Sequence, residues 1–322
     1  MAMFNSFWPV YKNLEEETLE LSRYINFTDD QLDVYSMHIA DVIVRIAVEI
    51  EALSKELYKA NGGPKTYDEN GKERDPFFDT ECINYLNDKW KICNRQIIVS
   101  CANFEFCNQD NYVLKPLHKA NKRGSSSATW NKSYQAVKHD RRQNIKKGNI
   151  RALIHALGAL YILNIFYRND FYEYGSIIEP NKLFDNRLGS SIFAATFADA
   201  SKAEINSDTS DASIYSEERD KLKTALCIIK YTSKAWQTMH DEFQEYNVSI
   251  IQKIIKDPSF LEEINKRISE DGNSDLERIA TSTLQKMGGE YISKNLPKKL
   301  GLSMVYGEKE VVLNKGQVIY PV

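Results

Sequence analysis

The run from Ala152 to Tyr167, ALIHALGALYILNIFY, constrains this chain most: sixteen residues broken only by His155 and Asn164. An amphipathic surface helix keeps one polar face, whereas a segment apolar nearly all round must be covered nearly all round. It falls short of the ~20 apolar residues that a membrane span needs. It therefore predicts a central core helix over about 149–167, and no membrane partner. The chain is long enough to wrap it, with 322 residues of which 42% are apolar. Gly and Pro are few, 14 and 8, which favours helices over many short strands and turns.

Other helices are expected around it. Residues 11–27 read as a short amphipathic helix. Thr28 or Asp29 caps a longer one, in which Val34, Met37, Val42, Ile46, Ile50, Leu53 and Leu57 recur at helical spacing. Asn61-Gly62-Gly63-Pro64 stops it. A helix follows from Thr80, another from Thr129 with Trp130, Tyr134 and Val137 on one stripe, and either Gly148 marks a joint before the core helix or one helix runs through. Further on, 216–246, 248–256, 259–270 and 274–295 read as helices. Segments 190–200 and 204–213 suggest a small β-hairpin within 190–215, and the Val- and Tyr-rich tail suggests short C-terminal strands. The expected fold class is mainly α, a helical bundle with minor β. The expected division is 1–175, a bundle, and 176–322, a mostly helical region packed on the first.

The five cysteines form no CxxC and no Cys/His quartet, so no metal site is expected, and buried thiols suit a reducing, cytoplasmic setting. The N-terminus lacks a basic region followed by an apolar run, so no signal peptide is read there. P-loop, GxGxxG, HExxH and GxSxG patterns are absent, and no cofactor is expected.

The net charge of −3 hides an asymmetry. Residues 115–151 hold eleven Lys and Arg against the single acid Asp140, a local +10, and the remainder carries −13. Cations gathered on one face attract phosphate. Alternatively, the strip pairs with acids of the same chain, such as Glu15–Glu20, or is a plain solvated face.

Within that strip, WNKSYQAVKHDRR (130–142) concentrates the chemistry. On one continuous helix, Tyr134, Lys138, Arg141 and Arg142 lie at i, i+4, i+7 and i+8. His139 among cations would stay neutral and able to act as a base, while Arg141 or Arg142 forks onto phosphate. A base for a 2′-hydroxyl and cations for charge developing on phosphorus are what metal-independent RNA cleavage requires. Lys132, Lys146, Lys147 and Arg123 extend the cationic inventory. Arg45 and Glu49 read as a surface pair at i, i+4, and His155 as a hydrogen-bonded core histidine.

The helix W-x3-Y-x3-KH-x-R, the apolar helix after it, and Glu51-x3-Lys55 on an earlier helix resemble the HEPN-like domains of bacterial toxin–antitoxin and phage-defence systems. The resemblance spans about 30–168. It implies a four- or five-helix bundle, usually a homodimer. In active members a cleft between subunits cuts RNA without metal, and an antitoxin or defence-system protein is a possible partner. His139 matches the family's base, Gln135 its polar position, and Glu51 and Lys55 its supporting pair. The signature Arg is unmatched: no His has an Arg five to seven positions upstream, and those positions before His139 hold Tyr134, Ser133 and Lys132. Three functions suit this inventory. One is a metal-independent endoribonuclease with His139 as base, Arg141, Arg142 and Lys138 on phosphate, and Glu51 orienting the site. The second is a degenerate module that binds RNA, a nucleotide or a protein. The third is a structural helical interaction protein.

Overall fold

The computed structural model describes residues 5–172, 176–177, 184–203, 212–271, 275–295 and 307–316. The fold is mainly α with small sheets. Two compact units emerge: residues 1–230 with 310–321, and residues 231–309. The border thus falls beyond 230 and not at 175, because strands and a helix after residue 184 belong to the first unit.

In the first unit, α1 (Phe7–Leu21), α2 (Met37–Ala60), α3 (Asn84–Trp90), α4 (Thr129–His139) and α5 (Ile150–Tyr172) build the bundle. The apolar run forms α5 as expected. Ala152, Leu153, Leu157, Leu163, Ile165 and Phe166 are all fully buried, and α1, α2 and α4 pack on it. With its flanking residues, over Ile150–Arg168, the helix is long and apolar enough to cross a membrane, yet 89% of that stretch is buried inside the protein, so α5 is a core helix.

One face of α2 supplies Ile39, Val42, Ile43, Ile46, Ile50, Leu53 and Leu57 to the same core. Its cap is Ser36, whose Oγ accepts from the Ile39 N–H at 3.0 Å. Thr28 instead precedes, and Asp29 begins, a single 3-10 turn, Asp29–Gln31. The helix expected from Thr80 begins as a π-helical turn, Phe78–Ile83, before α3.

The minor β structure differs in its pairing. The strands β1 (Ile97–Val99), β2 (Val113–Leu114) and β3 (Phe193–Ala195) form one antiparallel sheet with β1 central. The next strand, β4 (Phe197–Asp199), pairs in parallel with β5 (Cys227–Tyr231). Thus β3 and β4 are neighbours in sequence that join different sheets, and the hairpin expected at 190–215 is not formed by its described residues; 204–211 lie outside them. The C-terminal strand is present as β6 (Lys309–Leu313), beside β5. The helix expected over 216–246 divides into α6 (Ala212–Thr224), β5 and α7 (Ser233–Lys256). The sequence CIIKY is β-branched and half-buried, and sheet pairing overrides the helical pattern around it.

The second unit contains α7, α8 (Pro258–Asp271) and α9 (Leu276–Asn295) around a small core of Ile250, Ile254 and Phe260.

Candidate nucleic-acid interface

One edge of α4 is fixed in the bundle. Trp130 and Tyr134 are buried, and the Trp130 Nε1 donates to the Pro116 carbonyl at 2.8 Å. The other edge presents Lys132, Lys138 and His139 to solvent, with Gln135 half-buried. The Lys138 Nζ donates to the Tyr134 Oη at 3.1 Å and stands 5.1 Å from its ring centroid. That hydrogen bond raises the lysine's pKa, with a smaller contribution from the Glu51 carboxylate.

The helix stops at Asp140, whose backbone turns out of helical geometry (φ −148, ψ 82). Its side chain accepts from the Gln143 N–H at 3.1 Å and caps a new turn, Arg141–Asn144. This corrects the expectation of one continuous helical face, since Arg141 and Arg142 leave the register of Tyr134 and Lys138. The Arg141 Nη1 meets the Asp41 Oδ1 on α2 at 2.6 Å, whereas Arg142 is exposed without an ion pair among the described residues. A 3-10 turn, Ile145–Lys147, then carries exposed Lys146 and Lys147.

Residues 140–149 therefore form an elbow lying over the N-terminal end of α2. A Cβ on Gly148 would stand 2.7 Å from that of Ala40. The Ile150 N–H donates to the Val34 carbonyl, and Tyr35 bridges to Asn149. Beside the elbow, Tyr35 and Met37 are exposed, at 42% and 56%. Met37, expected on the apolar stripe of its helix, is thus exposed instead, and neither Tyr35 nor Asp41 stood out in the sequence, because what brings them to the elbow is a tertiary contact across a hundred residues.

Three of the strip's eleven cations are committed to acids. Besides Arg141, the Arg123 Nε donates to both oxygens of Asp79 at 2.9 Å, and its guanidinium lies 4.0 Å over Phe77. The Arg151 Nη1 donates to the Asn111 Oδ1 at 3.0 Å, with Asp33 3.9 Å away from its Nε. Arg123 is thus a structural residue and not a free phosphate ligand. Lys115, Lys119, Lys122, Lys132, Arg142, Lys146 and Lys147 remain exposed, without an ion pair among the described residues. Pairing with α1 does not occur there. Glu17 is taken by Arg45 and His38, Glu16 by Arg23, and buried Glu15 by Lys12.

Among the described residues the catalytic geometry is incomplete. His139 has no hydrogen bond or ion pair among the described residues, so nothing there orients its ring. Glu51 is half-buried and makes no hydrogen bond to His139 or to an Arg among them. The expected Glu51–Lys55 pair does not form either, since the Lys55 Nζ turns to Asp75, 3.7 Å away. Arg45 likewise forks onto Glu17 and leaves Glu49, which lines a cleft of about 270 Å³ with Val10, Asn13, Leu14, Val44 and Val48. His155 stays neutral at pH 7, because burial, and then Arg151, lower its pKa to about 4. No hydrogen bond to it is found among the described residues. Nor do three His, Cys, Asp or Glu side chains converge as metal ligands among them. No family model matches the chain, and no curated protein or solved structure matches it.

Proposed function

We propose that this chain is an RNA-directed, HEPN-like protein of a bacterial defence or toxin–antitoxin system, and that its elbow binds the phosphate backbone. The observation that carries this reading is the set of exposed cations around α4 and the elbow left without ion pairs among the described residues: Lys132, Arg142, Lys146 and Lys147, with Lys138 held on Tyr134. Phosphate binding needs charge at a surface and tolerates loose geometry. Cleavage needs an oriented base and a fixed donor to the phosphoryl oxygens. The described residues offer the first and lack the second: among them nothing supports His139, and Arg141 is fastened to Asp41, while the sequence does not match the family's signature Arg. The binding-module reading is therefore favoured over the endoribonuclease. In this reading the working form is a cytoplasmic homodimer, served by an antitoxin or defence-system partner. The five free cysteines suit that compartment.

Two measurements on the purified full chain test the reading. The first is binding of a mixed tRNA and mRNA pool across a salt series. Arg142→Ala/Lys146→Ala/Lys147→Ala should weaken binding and flatten the log–log salt slope by roughly 2, the value for three lost contacts to single strands. An unchanged slope sinks the proposal. The second is cleavage of the same pool in EDTA, beside His139→Ala. Cleavage by the wild type alone would reinstate the endoribonuclease, with the missing Arg supplied by a second subunit.

A further inference from the structure

The helix α7 has two apolar faces. On one, Met239, Ile250 and Ile254 are buried, and the last two meet Phe260 in the core of the second unit. On the other, Val248, Ile251 and Ile255 stand at i, i+3 and i+7, with 53%, 38% and 54% of their surfaces exposed. At about 100° per residue these three form one stripe, roughly a quarter-turn or slightly more from the buried face. Leu261 and Leu276 are exposed singly on other helices and need no partner to explain them. The α7 stripe is contiguous and does need one.

Charge beside the stripe changes sign along the helix. Asp241 and Glu245 border its N-terminal side, one turn apart, and Lys256 borders its C-terminal side on the same flank. Glu245 and Lys256 are both exposed, and neither is in an ion pair among the described residues. An apolar stripe with acid before it and base after it is complementary to itself turned end for end. A two-fold axis across antiparallel helices keeps like flanks together, so Glu245 of one copy then lies beside Lys256 of the other. Parallel pairing, about an axis along the helices, would put like flanks on opposite sides of the seam, where Glu245 does not meet Lys256.

We propose that α7 is a self-association surface. Two copies of the chain pair antiparallel through Val248, Ile251 and Ile255, about an axis beside Ile251. Val248 of each copy packs on Ile255 of the other, and Glu245 faces Lys256 on both sides. The seam is short, so the dimer is weak and depends on concentration. The proposal places the homodimer of that reading on α7 but uses none of its RNA evidence, so a failure of RNA binding leaves the α7 dimer standing and a single-chain mass leaves the phosphate-binding elbow standing.

The test is size-exclusion chromatography with light scattering on the full chain, without RNA, from about 1 to about 200 μM, the range in which weak dimers form. The mass should rise from that of one chain, 37.1 kDa, towards that of two. Glu245→Lys and Lys256→Glu should each weaken association by roughly tenfold. The double reversal should restore it, since both contacts re-form with signs exchanged. Ile251→Asp should leave a monomer with an unchanged melting temperature, because that side chain is already exposed. A single-chain mass throughout overturns the proposal. So does a double reversal as weak as the singles, or a dimer that ignores all four variants.

Discussion

The Arg141 guanidinium meets the Asp41 carboxylate at 2.6 Å, and this contact fastens the basic elbow to α2. Both side chains are partly exposed, 39% and 51%, so the pair positions more than it stabilises. Asp41→Ala and Arg141→Ala should each lower unfolding free energy by no more than about 1 kcal/mol. A double-mutant cycle in urea should give a coupling within that range. RNA affinity should fall less for Arg141→Ala than for Arg142→Ala, because only Arg142 is uncommitted. The reverse order in a binding titration would show that Arg141 leaves Asp41 for phosphate.

A second anchor is buried. Glu15 on α1 accepts from the Tyr11 hydroxyl at 2.8 Å, from Ser190, from the Lys12 ammonium, and from the Ser191 and Ile192 N–H groups at 2.9 and 3.2 Å. Burial pushes this carboxyl's pKa up, but the hydrogen bonds from Lys12, Ser190 and Tyr11 outweigh it and hold the pKa below the usual value. A carboxylate with a lowered folded pKa adds stability that is present above the unfolded value, about 4.3, and is lost as pH falls through the folded one. Urea midpoints measured from pH 6 downwards should therefore drop in acid, and Glu15→Gln should flatten that drop. At pH 7, Glu15→Ala should cost about 3 kcal/mol, because it removes the buried acceptor shared by Tyr11, Ser190 and the Ile192 N–H.

Much of the fold is legible because it is local. The apolar run could only be a covered helix, and the α2 periodicity names its core face from Val42 to Leu57, although Met37 of the same stripe is exposed. What escapes the sequence is set by distant partners. Glu15 sits in an acidic stretch that reads as a partner for the basic strip, yet Ser190 and its loop, some 175 residues away, bury it. The strand at 227–231 is too short to announce itself between helix formers, and β4 decides it. At the candidate site, the residue types were readable and the geometry was not. KHDRRQN keeps a helical polar pattern, so nothing local reveals the break at Asp140 or the claim of Asp41 on Arg141.

Arg95 is another buried charge, 1% exposed, and no carboxylate accompanies it in an ion pair among the described residues. Its Nη2 donates to the Trp90 carbonyl at 2.6 Å, and its Nη1 to those of Lys223 and Ala225 at 3.2 and 3.4 Å. These carbonyls lie at the C-terminal ends of α3 and α6, where helix dipoles concentrate negative charge. Burial lowers the guanidinium's pKa to about 10, which leaves it charged at pH 7. The planar fork reaches both helix ends, and a lysine ammonium does not. Arg95→Lys should thus destabilise by about 2 kcal/mol or more in urea melts, and Arg95→Met by a similar amount. If Arg95→Lys were neutral, the two helix ends would not be held by the fork.

Gly148 separates the elbow's shape from its charge. A Cβ there would stand 2.7 Å from the Ala40 Cβ and 3.0 Å from its Cα, so backbone must move to admit it. The φ of −81° is ordinary, which makes the constraint one of space and not of backbone strain. Gly148→Ala should cost about 1–3 kcal/mol, the usual range for overpacking, and should lift the 140–149 elbow from the N-terminal end of α2. It removes no cation. If the fixed elbow sets the spacing of Lys138, Arg142, Lys146 and Lys147, RNA affinity should fall in a titration at fixed salt while the salt slope changes little, since the number of phosphate contacts is nearly kept. Full affinity in a folded Gly148→Ala protein would show that charge density alone binds, whatever the elbow's position.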